Sequence, residues 1–422
     1  MTHNMVNILL GCVLGLTMSC TSGQVKTEPE PVVNPGDQQV AGASSRSDDG
    51  FEIHRGVNLE CWFSQIGNRT PDPEYYTPET IRQLKQWGFD HIRLCVGEEK
   101  IYDNKLNPIE NNWKLLYAIM DECVAQDMRI IFDLHESRDW DCNHTDVKHV
   151  MFSDYSWLIK TWTEALHRDL AKYPNNVLAY DIINEPASSA LTNPKYSWNE
   201  IATAVIKAIR EVEPNRTLVV CGDNWANPGE NFLQLNIPAD PHVIASVHFY
   251  QPNNLCFYRE PWGKYAEYDG PIHYPGYILQ RAEWNKWLRE WKEANPGKQP
   301  LTDFTNWCND RYDYSKMHRV IKECKEHCDQ LGIKFMLGEF GTTFYLASDV
   351  RNAWYTDVVK VCDELGVPYS NWGVKGAFGL YDWNGKGPER NVFDTDLTKP
   401  NTTLINILTG KGNSGIRPIY VD

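Results

Sequence analysis

The chain has 422 residues, 42% hydrophobic, 23% charged and 12% aromatic, which excludes a disordered, collagen-like or low-complexity protein and suffices for one large domain or two ordinary ones. Its 41 basic and 56 acidic residues give a net charge of −15, which argues against nucleic acid as a partner and against an electrostatic grip on anionic lipid. Sixteen Trp and 21 Tyr are many for this length; their flat faces fill cores and also stack on sugar rings.

The chain opens with a short apolar run, Val6 to Leu16, too short to span a bilayer and of signal-peptide length. Ser19 before Cys20 resembles a bacterial lipobox, so residues 1–20 are read as a lipoprotein-type signal and Cys20 as the lipidation site. Residues 21–50 are rich in Pro, Gly, Ser and acidic side chains and read as a disordered tether. Residues 51–422 then read as one folded domain, held outside the cytoplasm by a membrane anchor, or secreted if Cys20 is not acylated.

From Phe51 onward, short β-branched or apolar runs alternate with longer amphipathic stretches. The runs are Ile53–Asn58, His91–Val96, Arg129–His135, Val177–Asn184, Thr217–Gly222, Val243–Tyr250, Ile333–Glu339 and Pro368–Val374; helical patterns include Pro78–Trp87, Trp113–Gln126, Tyr155–Lys172, Trp198–Val212 and Tyr314–Leu331. Strand–helix alternation eight times over predicts an α/β fold, a (β/α)8 TIM barrel. A doubly wound sheet would carry a Gly-rich first turn, and none is present. The segment after the sixth strand holds a long insertion, 251–315, with Trp262, Tyr265, Tyr268, Tyr274 and Tyr277, followed by Trp284, Trp287 and Trp291 on one helix face. The last three read as core; the earlier ones are as apt to shape a substrate cleft as not.

Polar residues mark the C-terminal ends of the strands, where a barrel keeps its active site: Arg93 on the second, His135 on the third, Asn184-Glu185-Pro186 on the fourth, His248 and Tyr250 on the sixth, Gly338-Glu339-Phe340-Gly341 on the seventh and Trp372 on the eighth. Glu185 and Glu339 then face each other across the mouth. Facing carboxylates suit glycosidic bond cleavage, one protonating the leaving oxygen and the other attacking the anomeric carbon. The acid needs a raised pKa, and the nucleophile needs a partner such as Arg93 to keep it charged.

Arg55-Gly56-Val57-Asn58, Ile92-Arg93-Leu94, Asp133-Leu134-His135, Asp181-Ile182-Ile183-Asn184-Glu185-Pro186, His248-Phe249-Tyr250 and Gly338-Glu339-Phe340-Gly341 together resemble the signature segments of glycoside hydrolase family 5, the cellulase-type retaining β-glycanases. The likeness runs in order from about Phe51 to Trp383. It implies that Glu185 is the general acid/base and Glu339 the nucleophile. It further implies Asn184 at the sugar 2-hydroxyl, Arg93 and Tyr250 beside the nucleophile, His135 and His248 around the cleaved bond, and Trp372 beneath the sugar. Trp62, with Glu60 and Cys61 after the first strand, is a plausible sugar platform, although Glu60 is equally consistent with a structural role; Trp225, after the fifth strand, is a possible subsite wall.

No cofactor and no metal are expected. His135-Glu136, His144 and His149 fit no common zinc spacing, and Cys324 and Cys328 have no partner motif. The expected activity is retaining endo-hydrolysis of a β-1,4-linked polysaccharide, cellulose-like β-glucan first. The other readings are β-mannan or xyloglucan as substrate, an exo-acting glucosidase or exoglucanase, and a non-catalytic glycan-binding lipoprotein. A monomer is expected.

Overall fold

The computed structural model describes residues 50–143, 150–260, 264–383 and 395–411. Eight parallel strands close into a barrel: β1 (Arg55–Phe63), β2 (His91–Gly97), β3 (Arg129–Glu136), β4 (Leu178–Asp181), β5 (Leu218–Cys221), β6 (Val243–Phe249), β7 (Lys334–Phe340) and β8 (Tyr369–Asn371). Each strand pairs with its neighbour in sequence, and β8 closes on β1 through Arg55 opposite Tyr369 and Val57 opposite Asn371. This is the TIM-barrel fold, with the eight strands within a few residues of the runs legible in the sequence.

Side chains alternate along each strand, so every second residue enters the barrel. At the N-terminal end the inward layer is apolar: Ile131, Ala179, Val219, Ile244 and Met336, closed from below by Phe51 and Ile53. Two residues further along β3, β4 and β6 the inward side chains turn polar, as Asp133, Asp181 and Ser246, and Arg93 of β2 joins them, all fully buried. The apolar floor supplies the burial energy, and the polar storey above it faces the mouth.

The helices form the outer ring: α1 (Pro78–Trp87), α2 (Glu110–Ala125), a third segment running Ser156–Lys160, Thr161–Leu166 and His167–Leu170 with a π-helical middle, α3 (Trp198–Val212), α4 (Arg281–Ala294, in the insertion), α5 (Tyr314–Leu331), α6 (Ser348–Leu365) and α7 (Thr402–Leu408). In α3 the Ser197 Oγ accepts from the Glu200 backbone N–H while the Glu200 carboxylate accepts from the Ser197 N–H, a capping box that fixes where the helix starts. Its buried face is Trp198, Ile201, Ala202, Val205, Ile206 and Ile209, the i, i+3, i+4 stripe of an amphipathic helix. One of the expected alternations fails. Between β5 and β6 the only helical piece is the 3-10 turn Phe232–Gln234. The Phe232 ring there fills the space in which a Cβ on Gly222 would sit, at 2.6 Å.

Indole N–H groups satisfy backbone carbonyls at the C-terminal rim. Trp140 donates to Asn184 O (3.0 Å), Trp162 to Ile182 O (2.8 Å), Trp198 to Cys221 O (2.8 Å) and Trp354 to Gln251 O (2.9 Å). Strand ends leave such carbonyls without ladder partners, and a buried orphan carbonyl is destabilising. Much of the tryptophan content therefore clamps the strand ends from outside rather than stacking on sugar.

The insertion has its own core. Tyr265, Tyr268, Trp284 and Phe304 are buried against one another, and a short antiparallel pair joins Gly276–Tyr277 to Arg311–Tyr312. The Trp284, Trp287 and Trp291 rings stack in succession along α4. Tyr274 is buried and donates to Asp357 of α6 (2.7 Å). Tyr265, Tyr268 and Tyr274 are thus buried in packing, whereas Tyr277 is 53% exposed. Trp262, His144, His149, Cys20 and the tether up to residue 49 lie outside the described residues.

Candidate active site

Arg93 organises the floor of the mouth. Its guanidinium is fully buried, and Nε donates to Asp181 (2.9 Å). Nη1 donates to Asn58 of β1 (3.0 Å) and Glu339 of β7 (2.8 Å), while Nη2 donates to Asn184 Oδ1 (2.9 Å) and lies 3.0 Å from Asp133. One rigid planar fork thus links five side chains from β1, β3, β7 and the end of β4, which a lysine could not do. Burial alone would raise the Asp133 pKa, but the Arg93 charge, and then His135, hold it below the ordinary value. Asp181 goes the other way, up to about 7, because burial and then the neighbouring Asp133 charge outweigh what Arg93 offers it.

Glu339 receives two donors, Arg93 on Oε1 and the Tyr250 hydroxyl on Oε2 (2.9 Å). Burial, and then the Glu339 and Glu185 charges, push the Tyr250 pKa well up, so its hydroxyl stays a donor. Glu185 sits opposite, just beyond the end of β4, with φ +47. A left-handed conformation is strained for a glutamate and is retained where the surroundings dictate it. Burial raises the Glu185 pKa to about 7, with His135 opposing. His248 Nδ1 lies 2.6 Å from Glu185 Oε1 and 3.3 Å from Glu339 Oε2. Burial lowers the His248 pKa to about 4, which keeps its ring neutral beside Glu185.

Glu185, Glu339 and His248 each bring one polar atom within 4.8 Å of the other two. Cys95, Asp133 and His135 form a second such group. Three donors at that spacing resemble a metal site. In the first group, however, Arg93 and Tyr250 already occupy the Glu339 oxygens; in the second, the Arg93 guanidinium contacts both Asp133 and Cys95. A dication bound by Glu339 or Asp133 would have to compete with the buried Arg93 guanidinium.

The remaining sequence-derived residues divide. His135 Nδ1–H donates to the Asp133 carboxylate (2.6 Å), and its ring stacks on Trp372 at 5.6 Å with an interplanar angle of 14°. Against burial, Asp133 raises the His135 pKa. Asn184 Nδ2 lies 3.4 Å from His135 Nε2. Trp372, Trp225, Tyr250, Glu185 and Glu339 all line an open cavity of about 1030 Å³. Trp225 is 37% exposed, held up by a run of three left-handed residues, Asn224, Trp225 and Ala226. Trp62 does not reach the cavity. It is 1% exposed, donates to Asp72 O (2.8 Å) and packs edge-on against Phe63 and Tyr76. The strand register shifts between Leu59 and Phe63 and Cys61 takes φ +54, which turns Trp62 outward into the core. Glu60 is structural: its carboxylate accepts from Tyr76 Oη and from the backbone N–H groups of Val374, Lys375 and Gly376, bracing the loop that follows Trp372.

Sequence reasoning gave no separate role to Asp133 and Asp181, which anchor Arg93. Their signal was an acid at an inward position of an otherwise apolar strand. It missed Glu136, the last residue of β3, and the loop residues Gln65, Cys142, Asn227, Phe257 and Phe378, which line the cavity and follow no periodic pattern.

A closed parallel barrel with two glutamates facing each other at the strand ends defines a glycoside hydrolase site. The chain belongs to the cellulase family, glycosyl hydrolase family 5, whose match spans residues 48–377. It is 22% identical over 364 residues to endoglucanase C of Acetivibrio thermocellus, covering 84% of this chain and 97% of that one. It is 23% identical over 214 residues to cellodextrinase A of Ruminococcus flavefaciens, covering 50% and 62%. Among solved structures, the Clostridial cellulose synthase subunit Z from Clostridioides difficile superposes with a TM-score of 0.63 at 20% identity, covering 85% of this chain and 99% of that one. An endoglucanase structure gives 0.61 at 20% identity, covering 85% and 97%.

Proposed function

We propose that this glycoside hydrolase cleaves internal β-1,4 bonds of a glucan with retention of configuration. The observation that carries the reading is the pair Glu185 and Glu339, with oxygens within 4.8 Å of each other and opposite electrostatic surroundings. Carboxyl groups about 5–5.5 Å apart leave no room for a water between them, and the second attacks carbon directly. Glu185, with its pKa near 7, gives its proton to the glycosidic oxygen as that bond breaks. Glu339, flanked by the Arg93 counter-charge and the Tyr250 hydroxyl, forms the bond to the anomeric carbon. Glu185 then takes a proton from water, whose oxygen displaces Glu339 and regenerates both carboxyl groups. Asn184 binds the sugar 2-hydroxyl, His135 and His248 surround the cleaved bond, Trp372 lies under the sugar, and Trp225 walls a neighbouring subsite.

The endoglucanases among the relatives support both glucan as substrate and internal attack. The run before Cys20 supports an extracytoplasmic enzyme tethered by an acylated Cys20; loss of membrane fractionation in Cys20→Ala tests that. The function is tested by reducing-sugar release from β-glucan, glucomannan, galactomannan, xyloglucan and xylan. Release of mixed oligomers from glucan, reduced at least ~10³-fold in Glu339→Gln, is expected from loss of an activated nucleophile. Single sugars from the outset would point to exo action, and retained activity in Glu339→Gln would refute the assignment.

A further inference from the structure

The Asp223 carboxylate joins the loops after β4 and β5. The ladder between these strands ends at Asp181 opposite Val219, with the Ile182 N–H donating to Val219 O (3.1 Å) just beyond. Past that point Asp223 reaches across. Its Oδ1 accepts from the Ser188 N–H (2.8 Å) and its Oδ2 from the Ser188 hydroxyl. Oδ1 also accepts from the Asn224 N–H (2.7 Å), at the start of the left-handed run that raises Trp225. Beside this clasp the Ser189 N–H donates to Asn224 Oδ1 (3.3 Å) and the Trp225 N–H to Pro186 O (3.1 Å). Hydrogen bonds to an ionised acceptor are the strong ones. Glu185 needs such a hold. It is left-handed and stands immediately before Pro186, which pushes the preceding residue toward extended backbone, so its conformation persists because the surroundings fix it. A circuit closes on the other side. The His248 N–H donates to Ala226 O (2.8 Å), and His248 Nδ1 lies 2.6 Å from Glu185 Oε1. The Glu185 carboxyl, through His248, and the Glu185 backbone, through Ser188 and Asp223, are thus tied to one loop.

We propose that Asp223 is a positioning residue for Glu185: its carboxylate clasps Ser188 and so fixes the left-handed Glu185–Pro186 turn that aims the Glu185 carboxyl at the glycosidic oxygen. The proposal rests on Glu185 being the acid/base. The same carboxylate fixes Asn224 and with it Trp225, so the acid and the wall beside it keep one spacing. A displacement of about 1 Å in a reacting group can cost about 10²-fold in rate. What loosening the clasp impairs is proton donation. Attack by Glu339 is held separately, by Arg93 and Tyr250.

The test is kcat/KM, which reports the step that breaks the glycosidic bond, for the parent, Asp223→Ala, Asp223→Asn and Ser188→Ala. The substrates are a soluble β-glucan, phenyl β-cellobioside and dinitrophenyl β-cellobioside, with thermal melts to confirm folding. Dinitrophenolate departs without a proton, whereas phenolate and a sugar alkoxide need one. Asp223→Ala is expected to lose at least about 10-fold on glucan and phenyl cellobioside and less than about 2-fold on dinitrophenyl cellobioside. Asp223→Asn keeps an acceptor for the Ser188 N–H, and Ser188→Ala keeps that N–H; both show the same split with smaller losses, and they decide the matter if Asp223→Ala does not fold. A fault in packing alone lowers all three substrates together. Equal losses on all three, or no loss on any, in the folded variants overturn the proposal. Glu185→Ala is run alongside and is expected to show the same split more strongly. If it keeps glucan hydrolysis or lowers all three substrates alike, the acid/base reading fails and this proposal with it; if it shows the split and the Asp223 and Ser188 variants do not, this proposal alone fails.

Discussion

At the scale of single residues, the site works by giving two glutamates unlike surroundings. Glu339 meets a guanidinium and a phenol, while Glu185 meets a histidine that burial keeps neutral. The raised Glu185 pKa has a consequence for stability. A carboxyl raised from its ordinary 4.5 to about 7 in the folded state contributes stability that is complete below pH 4.5 and lost as pH rises through 7. Glu185→Gln removes that loss. The variant is expected to melt with the parent near pH 4.5 and to be more stable by about 1–3 kcal/mol at pH 8; parallel melting curves across this range would contradict the pKa reading. With Glu185 as the proposed acid, activity of the parent is expected to hold at lower pH and to fall as pH rises through about 7.

At the scale of elements, the strand rim separates what the sequence reveals from what it conceals. Arg93, His135 and His248 were legible at inward positions of their strands; Glu339 departs from the alternation set by Met336, where the ladder to β6 shifts register at His248, and was legible only through the Gly338-Glu339-Phe340-Gly341 segment. A polar side chain at an inward position of an apolar strand asks for an explanation in chemistry. Trp62 was not legible as core. Its direction depends on the register shift after Leu59 and on the left-handed Cys61, neither of which leaves a periodic mark. Cys142 sits on a loop whose course is set by tertiary contacts, and Tyr265 and Tyr268 were open to either reading because an aromatic on a long insertion packs as readily as it binds. The two tryptophans now separate experimentally. Trp62→Ala leaves a cavity among Phe63 and Tyr76 and is expected to destabilise by about 3–5 kcal/mol with KM little changed. Trp225→Ala, at an exposed indole, is expected to raise KM with stability changed by about 0.5 kcal/mol or less. Chemical denaturation and steady-state kinetics on both variants check this, and the reverse pattern would return Trp62 to the cleft.

At the scale of the whole molecule, the barrel is layered along its axis. An apolar floor closed by Phe51 and Ile53 carries a buried ionic storey around Arg93, and the open cavity lies above it. The ionic storey is what the apolar floor supports: buried charges are tolerated only when paired, and Arg93 pairs with carboxylates from β3, β4 and β7 at once. The tryptophans on the outer ring clamp the strand ends that position these groups, and the insertion, with its own core, anchors to α6 through Tyr274 and Asp357.

The central claim is that Glu339 forms the bond to sugar. A 2-deoxy-2-fluoro-β-cellobioside with a dinitrophenolate leaving group lets the first step proceed and slows the second, because the fluorine destabilises both oxocarbenium-like transition states while the leaving group compensates only the first. Digestion and mass spectrometry of the treated protein are expected to find one fluorocellobiosyl group, on the peptide carrying Glu339 and on that carboxylate. A protein that turns over the natural glucan yet takes up no label, or carries it on Glu185, would contradict the account.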